Sequence, residues 1–241
     1  MEAVAAFGRR LAALDWVTDL WVAGSLATGD HVPGVSDLDL VALTVGPVTG
    51  TRSDELVRLH TELDRAEAAG TDLGCAYVDR ARLTDLDAEH PTWTHGRLVQ
   101  RTLSGVVRAE LVRHGYAELG RPPADVLPPV TDDDVRRAAR AELTGYWSWA
   151  SRRPHYWLDP VIAELGLTSM ARGRHELATG QLLTKSAAIE QAAAPAWLVD
   201  QLRRRRRGED VRPPRLRTGW IAWRDARRTT RAARRLGDGV S

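Results

Sequence analysis

Two aspartates one residue apart, Asp37 and Asp39, lie in "VSDLDLVAL", where alternating apolar residues predict a strand. Residues i and i+2 of a strand share a face, so the two carboxylates project side by side. Left alone, such a pair repels itself and one acid holds a proton. A divalent cation removes the conflict, and Mg²⁺ is the hard cation held by one or two carboxylates together with substrate phosphates. Upstream, "WVAGSL" places Gly24 and Ser25 at the end of another apolar run. A glycine there lets backbone N–H groups approach phosphate oxygens, and the serine adds a hydroxyl donor. A bare Asp-x-Asp is also common as two solvated acids at a strand end. Gly-Ser followed by a loop and then Ser-Asp-x-Asp is a far more specific pattern, and it reads as a nucleotide–metal site.

The elements needed to hold these residues can be traced along the chain. Val4, Phe7, Leu11 and Leu14 recur at helical spacing, predicting an amphipathic first helix over 2–14. Residues 19–24, 38–43 and 72–78 read as strands, with a Gly/Pro loop at 28–35 and a helix over 53–68 that stops before Gly70. A strand near 97–104, a short helix near 108–114 and a small strand near 116–119 complete the first part. "GRPPADVLPPV" (120–130), with four prolines, reads as a linker. Beyond it the pattern is helical, near 131–153, 159–178, 185–193, 196–207 and 217–236, starting from Thr131 as N-cap with acids in the first turn. Two domains are therefore expected, 1–122 of α/β type and 131–241 all-helical.

Composition narrows the function classes. The chain has 241 residues, 43% hydrophobic and 27% charged, as in an ordinary soluble globular protein. A net charge of +2 is too mild to argue for nucleic acid, and the run Arg203–Arg207 reads as a solvated helix end. The single cysteine, Cys75, forms no internal disulfide and reads as a small buried residue, which makes a reducing cytoplasm the expected home. Charges interrupt the apolar residues of the N-terminal stretch, predicting neither a signal peptide nor a membrane span. Lysine and arginine number 34 together, yet Lys185 is the only lysine, and asparagine is absent. Codon bias accounts for the arginine surplus; the lone lysine either marks a position suited to a compact point charge or has survived by chance.

"VAGSLATGDHVPGVSDLDLVAL" resembles the signature of the nucleotidyltransferase superfamily. That resemblance implies an α/β (α+β) domain with a mixed sheet, Gly24 and Ser25 on the phosphates of ATP, and Asp37 and Asp39 on Mg²⁺, with Ser36 supporting the loop. It also implies a third carboxylate on a neighbouring strand. The simplest alignment puts Gly74 at that position. Asp72, two residues earlier on the same strand face, is the available substitute as catalytic base or metal ligand; the alternative is a turn residue at the strand's entry.

"LTSMARGRHELATGQLLTKSAAIEQ" (167–191) resembles the C-terminal helical-bundle domain of the streptomycin/spectinomycin adenylyltransferases, as does "HGYAELGRPP" (114–123) at the domain connection. The resemblance implies that Arg172 and Lys185 reach the nucleotide's phosphates, and that AMP passes to a hydroxyl of a small, aminoglycoside-like acceptor. "GYWSWASRRPHYWLDPVIAEL" (145–165) concentrates aromatic rings with Asp159 and Glu164. Rings such as Trp157, and Trp93 elsewhere, can stack on sugar faces while these acids pair ammonium groups, or the tryptophans can be helix-packing core. Two further readings stay open: a regulatory or antitoxin-like nucleotide binder that has lost the chemistry, and an enzyme acting on RNA or DNA ends.

Overall fold

Strand alternation divides the N-terminal residues between two faces of one sheet. The computed structural model of the chain describes residues 1–238, the side chains of 237 and 238 excepted. The chain folds as two units, Met1–Val130 and Thr131 onward. The first unit runs α1 (Glu2–Ala12), β1 (Val17–Val22), α2 (Gly24–Ala27), β2 (Leu38–Thr44), α3 (Thr51–Arg65), β3 (Leu73–Asp79), β4 (Glu89–Thr94), β5 (Arg97–Thr102), α4 (Gly105–His114) and β6 (Tyr116–Leu119). The sheet order is β5-β4-β3-β2-β1-β6. Only β2 and β3 pair in parallel, joined by the crossover that carries α3; the other pairs are antiparallel. The sheet is therefore mixed.

In β2, Leu38, Leu40 and Ala42 pack against Phe7 and Leu11 of α1 and Leu56 and Leu63 of α3. Val41 and Leu43, of opposite parity, pack with Trp21, Val78 and Leu111 on the other side. Asp37 and Asp39 share the parity of Val41 and Leu43 but lie at the strand's N-terminal end, where both are exposed.

One element in this unit was not anticipated and one expectation is corrected. Strand β4 contains Pro91, a residue that argues against an inner strand. β3 bonds β4 only at Trp93 and Thr92, so Pro91 has just β5 beside it, opposite Gln100. Residues 120–130 are not a free linker. They form a 3-10 turn over Pro123–Asp125 and bury Leu127 in the first unit. Their entry is pinned at Gly120, whose φ of +76° suits glycine and where a Cβ would meet Asp19 Oδ1 at 2.5 Å. The Arg121 N–H donates to that buried carboxylate at 2.7 Å, and the Trp21 indole N–H donates to the Arg121 carbonyl at 2.7 Å. The segment 114–123 is thus a fastening of β6 to β1.

The second unit contains α5 (Asp132–Thr144), α6 (Tyr146–Ser151), α7 (Pro160–Thr179), α8 (Lys185–Glu190), α9 (Ala196–Arg206) and α10 (Arg215–Asp238). Thr131 and Asp134 form a reciprocal capping box at the start of α5. A second correction falls here: the expected helix 131–153 breaks at Gly145 into α5 and α6. α7 and α10 pack through Leu167, Met170, Ala222 and Ala226. No helix among the described residues is long and apolar enough to cross a membrane.

Candidate functional site

Pairing continues one residue past β1: the Ala23 N–H donates to the Asp39 carbonyl at 2.8 Å. Gly24 then turns the chain into α2 with φ +62°, a conformation L side chains rarely adopt. A Cβ at Gly24 would lie 2.2 Å from Asp39 Oδ2 and 2.9 Å from Asp39 Cβ and Cγ. The Asp39 carboxylate therefore rests directly on the Gly-Ser turn. The Thr28 hydroxyl donates to the Gly24 and Ser25 carbonyls at 3.2 and 3.3 Å, and the Asp30 N–H to the Ser25 carbonyl at 2.9 Å. Ser36 closes the following loop reciprocally: its Oγ accepts from the Val32 N–H at 3.0 Å, and its N–H donates to the Val32 carbonyl at 2.9 Å. The Ser36 hydroxyl fixes the approach to the aspartates.

The parallel register places Asp39 opposite Gly74 and leads the Leu38 N–H to the Asp72 carbonyl at 2.9 Å. A Cβ at Gly74 would make only ordinary contacts, 3.6 Å to the Trp93 carbonyl and 3.8 Å to the Leu38 carbonyl. The place beside Asp39 thus has room for a side chain and holds none. Asp72 is exposed, and its Oδ2 stands 3.4 Å from His95 Nε2. His95 and Gly96, with φ of +49° and +73°, form the two-residue turn between β4 and β5, and His95 Nδ1 is 2.8 Å from Thr94 Oγ1. Nearby, burial pushes the Asp64 carboxyl above its usual value; a hydrogen bond from Trp93 opposes this and the Asp72 charge adds to it. Sequence reasoning missed His95; the local signal available was the turn-forming Gly96 that follows it.

Asp37, Asp39 and Asp72 do not form the expected three-acid group. Among the described residues no three His, Cys, Asp or Glu side chains are arranged to hold a metal ion. What is present fits a smaller demand. Two exposed carboxylates on one strand face, one lying on a glycine turn that a Cβ would fill, suit Mg²⁺ with two protein carboxylates and the remaining ligands from phosphate and water.

In the second unit, Arg172 Nε is 3.9 Å from the buried Glu176 Oε1. Lys185 is exposed at the first position of α8, capped by Thr184, whose hydroxyl accepts from the Ala187 N–H at 3.2 Å. Glu164 Oε1 lies 3.0 Å from Arg205 Nη1. Burial raises the Glu164 carboxyl, while the charges of Arg205 and Lys185 oppose the rise. Lys185, Arg205 and Glu164 are thus electrostatic neighbours.

Three expected acceptor contacts find other employment. Trp157 is buried, its ring occupying the space beside Gly166 and its indole N–H donating to the Ala150 carbonyl at 3.1 Å. Trp93 is buried and stacks on His60 with ring centroids 4.7 Å apart. Asp159 caps α7, accepting from the Val161 N–H at 2.8 Å. Within 145–165 the tyrosine and tryptophan rings that stay exposed are Tyr146, Trp149 and Tyr156, in contact through Trp149, with the Arg153 guanidinium 4.1 Å over Trp149. Cys75 is buried, and burial pushes its thiol up.

With a Gly-Ser turn set against an Asp-x-Asp strand, the geometry can be compared with known proteins. Residues 5–73 match the nucleotidyltransferase domain family. The matched stretch runs from α1 to the start of β3 and includes Gly24, Ser25, Asp37, Asp39 and Asp72. No curated protein matches the chain. Among solved structures, the spectinomycin adenyltransferase AAD(9) from Enterococcus faecialis, crystallised with ATP and spectinomycin, shares the fold: 13% identity, 94% of this chain and 98% of that one, TM-score 0.70. A toxin-antitoxin structure with AMP-PNP matches at 17% identity over 66% of this chain and 96% of that one, with a TM-score of 0.29, too low to bear on the fold.

Proposed function

We propose that the protein transfers AMP from ATP to a hydroxyl of a small, aminoglycoside-like acceptor, with Mg²⁺ at Asp37 and Asp39. The observation that carries this reading is the contact of the Asp39 carboxylate with the Gly24 turn, which joins a cation's ligands to a phosphate-binding backbone. It is supported by the nucleotidyltransferase match and by the fold shared with a protein crystallised with ATP and spectinomycin.

Gly24 and Ser25 bind phosphate oxygens through backbone N–H and hydroxyl. Mg²⁺, when bound, neutralises the triphosphate and polarises the phosphorus for in-line attack. Asp72 takes the proton of the attacking hydroxyl, and its neighbour His95, 3.4 Å away, holds the carboxylate in place. Arg172 and Lys185 steady the departing pyrophosphate, a compact ammonium at a helix start being suited to a multiply charged leaving group. A cytoplasmic setting fits a chain with one buried thiol.

The open space beside Asp39 at Gly74 favours a second reading, a regulatory nucleotide binder without turnover. Incubation with ATP, Mg²⁺ and a panel of aminoglycosides separates the two. Pyrophosphate released only when an acceptor is present supports transfer. Tight ATP binding with no release on any acceptor supports the binder.

A further inference from the structure

Arginines in the second unit are of two kinds. The contiguous run at the end of α9 is neutralised or buried: Arg203 bonds Glu190, Arg204 and Arg207 bond Glu209, Arg205 bonds Glu164, and Arg206 is buried. Four of those dispersed along α10 are not. Arg224, Arg227, Arg231 and Arg235 recur at helical spacing on one stripe, and no described carboxylate pairs with any of them. The acid among them, Asp225, is buried and committed to Arg174 and Arg228. The imbalance extends over the unit. Residues 131–241 carry 22 Lys and Arg against 13 Asp and Glu, while residues 1–130 carry 12 against 19.

The stripe lines a groove of about 540 Å³ together with Trp223 and Trp220, whose rings lie 5.0 Å apart. Trp220 is 56% exposed. A second hollow of about 390 Å³ shares Trp223, Arg227 and Arg231 and adds Arg152 and Arg234 above the buried hydroxyls of Ser148, Ser151 and Thr230. Arg234 donates to the Ser148 hydroxyl. Among the described residues no acid lines either one. From Trp220 to Arg235 the helix runs about 22 Å at 1.5 Å per residue, longer than a single triphosphate.

We propose that this face of α10 binds single-stranded nucleic acid, its guanidinium groups on successive phosphates and Trp220 stacking on a base. An extended row of cations beside an exposed ring matches a phosphodiester strand better than it matches a compact anion. A membrane surface fits less well. The alanine side of α10, Ala222, Ala226 and Ala233, is buried in the protein's own bundle, and the exposed Leu216, Trp220 and Leu236 stand apart along the helix among guanidinium groups rather than as one continuous apolar face.

The test is fluorescence anisotropy of the full chain with labelled single-stranded RNA and DNA oligonucleotides, with tripolyphosphate and anionic phospholipid vesicles as separate arms. Binding of either oligonucleotide is expected, weakening about 100-fold between roughly 50 and 200 mM salt, as engagement of about five phosphates requires. The double variant Arg224→Glu/Arg231→Glu loses at least about tenfold in affinity, and Arg203→Glu, in the paired run, changes little. Trp220→Ala removes only an exposed ring; it is expected to weaken binding several-fold and keeps the test intact should the double variant misfold. The proposal is overturned by no oligonucleotide binding at low salt, by unchanged affinity in both α10 variants, or by capture of tripolyphosphate or vesicles alone.

Discussion

Asp39 lies so close to Gly24 that a Cβ on the glycine would stand 2.2 Å from the carboxylate oxygen. Sterics and backbone conformation act together there. Gly24→Ala forces an L residue into φ +62°, costing about 1–2 kcal/mol, and must also displace Asp39. The variant is expected to lose AMP transfer by at least about 100-fold while its melting temperature falls only a few degrees. Steady-state assays beside a thermal melt check this; undiminished transfer would remove the turn from the site.

Replacement of either acid by its amide keeps shape and removes charge. Asp37→Asn and Asp39→Asn are each expected to cut transfer by about 10³-fold, the several kcal/mol a bound cation supplies. The Mg²⁺ concentration for half-maximal rate should rise in both. A rate that saturates with Mg²⁺ as in the parent chain would place the cation elsewhere.

Gly74 permits a gain-of-function experiment. It faces Asp39 across the parallel pair, and a Cβ there meets nothing closer than 3.6 Å. Gly74→Glu supplies a carboxylate on the same face, and a well-placed base contributes about 10²–10⁴-fold. Turnover is expected to rise with the fold intact by circular dichroism. If instead Gly74→Glu leaves turnover unchanged and Asp72→Asn abolishes it, Asp72 alone carries the proton.

Lys185 is the chain's only lysine, and its charge, with that of Arg205, opposes the rise of the Glu164 carboxyl. A planar guanidinium spreads its charge over a fork that a compact leaving group does not need. Lys185→Arg is therefore expected to lower kcat about tenfold with KM for ATP little changed. Full activity in that variant would mean that any cation suffices at this position.

The legible parts of the sequence were those with local rules. Gly24-Ser25 and Asp37-x-Asp39 declare a turn and a strand face through residue type alone, and Thr131 declares a helix start. What stayed hidden depended on partners distant in sequence. Pro91 masked β4 because nothing local says that its backbone nitrogen faces no third strand. Trp93 and Trp157 have the composition of a sugar-stacking surface, yet His60 and Gly166 hold them in the core. The arginines divided against their appearance: the dense run is paired, while the scattered ones on α10 line a groove. Burial and pairing, not residue type, decided these cases.

His60 supplies a pH test of the fold that is independent of the active site. It is fully buried between Phe7 and Trp93, with Nε2 2.7 Å from the Tyr77 hydroxyl, and burial lowers its pKa from 6.5 to about 3. Between those values the unfolded chain binds a proton that the folded chain does not. Stability is therefore full above about pH 6.5 and falls on acidification by about 1.4 kcal/mol per pH unit, until the folded histidine itself titrates. His60→Phe removes His60's share of this slope. It also removes the bond between the Tyr77 hydroxyl and Nε2, at a cost of about 1 kcal/mol that is the same at every pH, the Cys75 side chain remaining as a partner of that hydroxyl. Urea midpoints measured between about pH 5 and 7, above the range where most carboxylates titrate, should fall more steeply with acid in the parent chain than in the variant, where His90, also lowered by burial, keeps part of the slope. Parallel curves would mean that His60 charges freely inside the fold, contrary to its burial.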